Sequence, residues 1–142
     1  LKTLRYYIDT NVFIALIEMK GSAFEPFVDR IASRDATLFT SEITLAELLV
    51  KPLQQANMRM ASLYERLLQS GELLTVIPVH REILRASAGL RAKFPNKLPD
   101  AIHIATAMHT QCAIFVSSDQ RLKLPASLSQ VRLDQLNDVG YS

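Results

Sequence analysis

Four acidic residues are spaced so that one kind of fold would bring them together: Asp9 after Tyr6-Tyr7-Ile8, Glu47 in SEITLAELLVKP, Asp100 in PDAIHIATAMH and Asp119 in FVSSDQRL. Each also has a local explanation. Asp9 or Thr10 suits a helix cap, Thr44 and Glu47 have capping-box spacing, Pro99-Asp100 suits a helix start, and Asp119 after two serines suits an Asx turn. Four separate caps, however, have no reason to fall at convergent positions. If the carboxylates share a site, two of them about 4 Å apart repel by about 4 kcal/mol at an effective dielectric near 20. Protonation relieves this by raising pKa values. A hard divalent cation relieves it by accepting carboxylate oxygens, with room left for water and phosphate. Mg²⁺ or Mn²⁺ suits the set. Zinc does not, because His80, His103 and His109 show no HExxH spacing and the single cysteine forms no CxxC pair. His103, three residues after Asp100, is expected to pack within its helix rather than to act as a ligand. A cation of this type polarises a phosphate oxygen and activates a water, so the chemistry expected is phosphoryl hydrolysis without a histidine base. Asn11 and Ser117, uncharged hydrogen-bonding groups beside the acids, either orient a carboxylate, a water or a phosphate or serve only as cap and turn residues.

Short β-like runs at residues 5–9, 37–39, 73–79, 113–117 and 131–133 alternate with helical periodicity at 12–19, 23–33, 44–51, 57–69, 81–94 and 99–109. This order predicts an α/β fold, a three-layer α/β/α arrangement around a central parallel sheet of four to five strands. Two successive helices between the second and third strands are an addition to that plan. Sites in such sheets gather beyond the carboxyl ends of the strands, where Asp9, Asp100 and Asp119 fall. At 142 residues, with no repeat and only four glycines and six prolines, the chain reads as a single domain over 1–142. Cys112 opens an apolar run and is expected to be a buried hydrophobe. One cysteine, no apolar run near the ~18 residues of a membrane span and no signal-peptide order together predict a cytoplasmic protein. The net charge of +2 permits contact with an anionic polymer without requiring it.

The segments YYIDTNVFIAL, SEITLAELLVKPL, LPDAIHIATA and FVSSDQRL, in this order and at these separations, resemble the PIN-domain ribonucleases, in particular VapC-like toxins of toxin-antitoxin pairs. The resemblance spans residues 6–122. It implies that Asp9, Glu47, Asp100 and Asp119 form the family's acidic quartet, which binds Mg²⁺ or Mn²⁺ and supports endoribonucleolytic hydrolysis of RNA to 5′-phosphate and 3′-hydroxyl ends. Asn11 matches the family's D-x-N start, and Ser117 stands where the family commonly has threonine, keeping the hydroxyl. The resemblance further implies a homodimer and a small antitoxin whose C-terminal segment blocks the site. A housekeeping PIN nuclease of RNA processing, or a PIN domain that binds RNA or a partner without cutting, would present the same acids. A haloacid-dehalogenase-like phosphatase requires a second Asp two residues after the first, where Asn11 stands. There is no G-x-x-x-x-G-K-[ST] loop, and a receiver domain requires an Asp after a central strand, whereas TVIPVH ends without one.

An acidic pocket repels phosphates, so RNA binding needs cations at its margin. Arg85, Arg91, Lys93 and Lys97, preceded by Arg81, lead to Asp100, and Arg121 and Lys123 follow Asp119; these are the candidate RNA contacts. Tryptophan is absent and Phe94 is the only aromatic near this set, so recognition is expected through backbone and shape. Leu49, Val50, Leu53, Met58, Met60 and Tyr64 either line a groove for a partner helix or pack two helices together.

Overall fold

Tyr6, Tyr7 and Ile8 expose 4, 0 and 0 % of their surface, so both faces of their strand are covered, as a central parallel strand requires. The computed structural model describes residues 4–20 and 24–135. In chain order its elements are β1 (Leu4–Ile8), α1 (Thr10–Lys20), α2 (Phe24–Ala32), β2 (Ala36–Ser41), α3 (Glu42–Gln54), α4 (Met58–Leu67), β3 (Leu74–Ile77), α5 (Arg81–Lys93), α6 (Leu98–His109), β4 (Ile114–Val116) and β5 (Ser129–Val131). The five strands form one sheet in the order β3-β2-β1-β4-β5, and every pairing is parallel. Alternation along β1 sends its residues to two cores. Tyr6 and Ile8 pack with Phe13 and Leu16 of α1, Leu48 of α3 and Tyr64 of α4, whereas Tyr7 packs with Phe115 of β4 and Ile104 and Ala107 of α6. The result is the expected three-layer α/β/α sandwich.

Differences from the sequence expectations have local causes. Helix α3 starts at Glu42, not Thr44, because Ser41 is its N-cap and its hydroxyl accepts the Ile43 N–H at 3.1 Å. The capping-box spacing is therefore unused: Thr44 is buried, with its hydroxyl 2.8 Å from that of Thr40. The same helix continues through Pro52 to Gln54. Proline lacks an N–H and normally ends a helix, but here Pro52 is buried and its carbonyl accepts the Asn57 N–H at 2.8 Å. Strand β5 lies two residues earlier than expected, pairing Ser129, Gln130 and Val131 with Ile114, Phe115 and Val116. The expected start of the second helix at Ala23 falls outside the described residues.

Tyr64 is buried, and Leu49 and Met60 pack on the core. Val50, Leu53 and Met58 remain exposed on α3 and α4. Cys112 is buried as expected, and burial pushes its thiol up to about 11. Among the described residues no helix is long and apolar enough to cross a membrane.

Candidate active site

β1 and β4 are neighbours with Ile8 opposite Val116, so the residues that follow, Asp9 and Ser117, leave the sheet side by side. The Asp9 N–H closes the junction by donating to the Val116 carbonyl at 3.0 Å. Asp9 is buried, and both its carboxylate oxygens are engaged. Oδ1 accepts the Thr10 N–H at 2.8 Å. Oδ2 accepts the Ser117 hydroxyl at 2.7 Å and the Asn11 side-chain amide at 3.2 Å. Ser117, fully buried, also accepts from that amide at 3.2 Å and from the Asp119 N–H at 3.1 Å. Asn11 Oδ1 accepts the Ser118 N–H at 3.3 Å. Asn11 and Ser117 thus bind together the two loops that carry Asp9 and Asp119.

Glu47 reaches this edge from α3. Its Oε1 accepts the Thr10 hydroxyl at 2.7 Å and lies 2.7 Å from Nε2 of His103. His103 does more than pack within α6: it is 1 % exposed, its Nε2 lies 3.7 Å from Asp9 Oδ1, and its Nδ1 is 2.6 Å from the Tyr7 hydroxyl. Burial pushes the Glu47 carboxyl up, but the His103 hydrogen bond and charge, with the Thr10 hydroxyl, outweigh it and leave the group below its ordinary value. Burial, with Asp9 behind it, holds the Tyr7 hydroxyl well above the ordinary tyrosine value. Thr10, expected as a helix cap, and His103, expected at most to neighbour the site, both contact Glu47, and Tyr7, for which the sequence offers no such role, contacts His103. Periodicity puts Tyr7 on the strand face of Asp9 and His103 on the helix face of Asp100, which marks their neighbourhood but not their partners.

Asp100 sits in the first turn of α6, with Pro99 before it. Burial raises its pKa, and the negative charges of Asp9 and Asp119, with a smaller contribution from Glu47, raise it further against the opposing influence of His103. Asp119 behaves oppositely: its carboxylate accepts the Arg121 N–H at 3.0 Å and Nε and Nη2 of the guanidinium at 3.1 and 3.4 Å. That pairing, aided by the nearby charge of Lys97, lowers its pKa. A residue that sequence reading missed, Gln130 of β5, donates from its amide to the carbonyls of Ser117 at 3.1 Å and Asp119 at 2.8 Å. It fixes the loop on which Asp119 stands.

Among the described residues no three His, Cys, Asp or Glu side chains converge closely enough to cage a metal ion. The donors fit a hydrated hard cation, because Mg²⁺ usually keeps several waters and takes only one or two carboxylates. The Asp100 carboxyl, raised first by burial and then by the charges of Asp9 and Asp119, is the group such a cation would stabilise as a carboxylate. Of the candidate RNA contacts, Arg121 and Lys97 lie by Asp119, and Arg91 donates to the Asn96 carbonyl at 3.3 Å in the connection between α5 and α6. Asn96 in turn pairs with the backbone N–H and carbonyl of Lys123 at 3.0 and 2.9 Å, tying that connection to the loop after Asp119. Arg85 is exposed on α5, and Lys93 lines a groove between α5 and α6 with Glu82 and His109.

The family model described as PIN domain matches residues 6–127. No curated protein sequence matches the chain significantly. Among solved structures, VapBC2 from Rickettsia felis bound to a DNA fragment from their promoter is similar, with a TM-score of 0.72 at 16% identity, covering 91% of this chain and 98% of that one. A toxin-antitoxin complex from Klebsiella pneumoniae aligns with a TM-score of 0.59 at 21% identity, covering 87% and 95%. VapC20 from Mycobacterium tuberculosis, described as a sarcin-ricin loop cleaving toxin, aligns with a TM-score of 0.63 at 18% identity, covering 81% and 90%.

Proposed function

The chain belongs to the PIN-domain family, and from that premise we propose that it is a Mg²⁺- or Mn²⁺-dependent endoribonuclease whose site is built on Asp9, Glu47, Asp100 and Asp119. The observation that supports this reading is the group of carboxylates at the carboxyl edge of the sheet, where burial and the charges of Asp9 and Asp119 raise the Asp100 pKa. When bound, the cation supplies charge that polarises a phosphate oxygen and lowers the pKa of a water. Asp9, oriented by Ser117, Asn11 and the Thr10 N–H, is the most rigidly held carboxylate offered to it. Asp100 contributes a partly buried carboxylate whose pKa is raised, and Asp119 one whose pKa its Arg121 partner lowers. Arg121 and Lys97, with Arg91 nearby, bind the phosphates flanking the cut; Arg85 and Lys93 extend this contact along α5.

Similarity to solved toxin-antitoxin assemblies supports placing the protein as the toxin of such a pair, working in the cytoplasm as a homodimer and held inactive by a small antitoxin. The exposed apolar residues Val50, Leu53 and Met58 are consistent with a covered surface of this kind.

Purified protein incubated with total RNA is expected to cut it in Mg²⁺ or Mn²⁺, to stop in EDTA, and to leave 5′-phosphate and 3′-hydroxyl ends. Asp9→Asn is expected to lose at least about 100-fold of this activity, the scale of several kcal/mol of charge stabilisation. Undiminished cleavage by Asp9→Asn, or by the wild type in EDTA, would falsify the assignment.

A further inference from the structure

Both polar contacts of Glu47 fall on one oxygen. Thr10 and His103 each reach Oε1 at 2.7 Å, and among the described residues Oε2 receives no hydrogen bond. The side chain of Glu47 is one-third exposed, whereas that of His103 is almost completely enclosed. An exposed glutamate on a helix surface ordinarily samples several rotamers. This one is gripped by a ring that cannot itself turn. The His103 ring meets Tyr7 edge-on, with centroids 5.7 Å apart, and Tyr7 is stacked on Phe115 at 5.1 Å. Tyr7 and Phe115 are both fully buried. The Tyr7 hydroxyl fixes Nδ1 of the ring at 2.6 Å, which directs Nε2 at Glu47. A carboxylate acceptor requires that Nε2 carry hydrogen, whichever way the proton between Tyr7 and Nδ1 lies.

We infer that His103, braced by Tyr7, is the positioning residue for Glu47, fixing one carboxylate oxygen so that only Oε2 is left for the cation or its water shell. This rests on the metal-dependent nuclease reading above. The packed assembly Phe115-Tyr7-His103 joins β4, β1 and α6, and through it the hydrophobic core sets the angle of a site carboxylate carried by a fourth element, α3. Partners of this outer kind typically change metal affinity or activity by about 10–100-fold when removed.

The test measures Mn²⁺ uptake without RNA, by the loss of the free-ion electron paramagnetic resonance signal, together with thermal unfolding. His103→Leu is expected to weaken Mn²⁺ binding by about 10-fold or more. His103→Gln, which returns an N–H donor near the place of Nε2, is expected to recover most of that loss. A purely structural histidine would instead leave both variants with the same affinity once folded. Folded His103→Leu protein with wild-type Mn²⁺ affinity overturns the proposal, as does a glutamine variant no better than leucine. If the leucine variant does not fold, ¹⁵N imidazole spectra of the wild-type protein decide. A proton on Nε2 whose resonance moves in Glu47→Ala but not in Asp100→Asn supports the assignment, and a bare Nε2 overturns it. Wild-type protein that takes up no Mn²⁺ and cuts no RNA defeats the nuclease reading, and the imidazole spectrum then still judges His103 by itself.

Discussion

Ser117 concentrates three roles in one hydroxyl: it donates to Asp9 and accepts from Asn11 and from the Asp119 N–H. Ser117→Ala strands those partners in a buried place. It is expected to cost about 1–3 kcal/mol of stability, read by urea unfolding, and to lower activity further by freeing Asp9. Asp100 is the counter-example, a side chain whose charge the fold tolerates poorly. Its raised pKa means that the folded protein takes up a proton there more readily than the unfolded chain does. Protonation through that pKa therefore favours the folded state, while above it the repulsion remains. Asp100→Asn is accordingly expected to stabilise the metal-free protein, by about 0.5 kcal/mol after solvent screening, or roughly 1–2 °C, while abolishing cleavage. A calorimetric scan in EDTA checks it, and an unchanged or lower melting temperature contradicts the repulsion. Cation binding competes with this proton, so Mn²⁺ uptake at sub-saturating metal should begin to weaken, as pH is lowered, above the ordinary aspartate value of about 3.9.

Elements differ in how openly the sequence declared them. β1, with apolar residues on both faces, and α6, opening at Pro99-Asp100, are legible because burial pattern and helix start agree. The parallel order followed from strands alternating with helices. β5 begins two residues before its apolar signal because Ser129 and Gln130 are polar and pair with β4 through their backbone. The end of α3 was hidden by Pro52, whose burial overrides its usual effect. In the site, the acids and Asn11 and Ser117 were readable as motif residues, whereas His103 looked like core. Its role depends on Glu47, 56 positions away, and no local pattern encodes that meeting. Gln130 was invisible for the same reason. As the residue that anchors the Asp119 loop to β5, it supports a prediction at this scale. Gln130→Ala should cost about 1–2 kcal/mol and speed amide hydrogen exchange in residues 117–121 while sparing β1. Unaltered exchange in that loop would show that the anchor is dispensable.

For the molecule as a whole the net charge is only +2, but the acidic edge has Lys97 and Arg121 beside Asp119. RNA affinity should fall with salt, and each phosphate contact should contribute about −0.7 to the slope of log affinity against log salt for a single strand. Lys97→Ala and Arg121→Ala are each expected to reduce that slope by roughly one contact. A slope identical to wild type in both would place the RNA elsewhere. The position of β1 at the middle of the sheet has a further consequence. Ser117, which orients Asp9, follows it 108 positions later in the chain, and β4, which must pair alongside β1, comes with Ser117. A nascent chain emerging from the ribosome therefore carries the Asp9 carboxylate without its Ser117 hydroxyl until β4 has been translated.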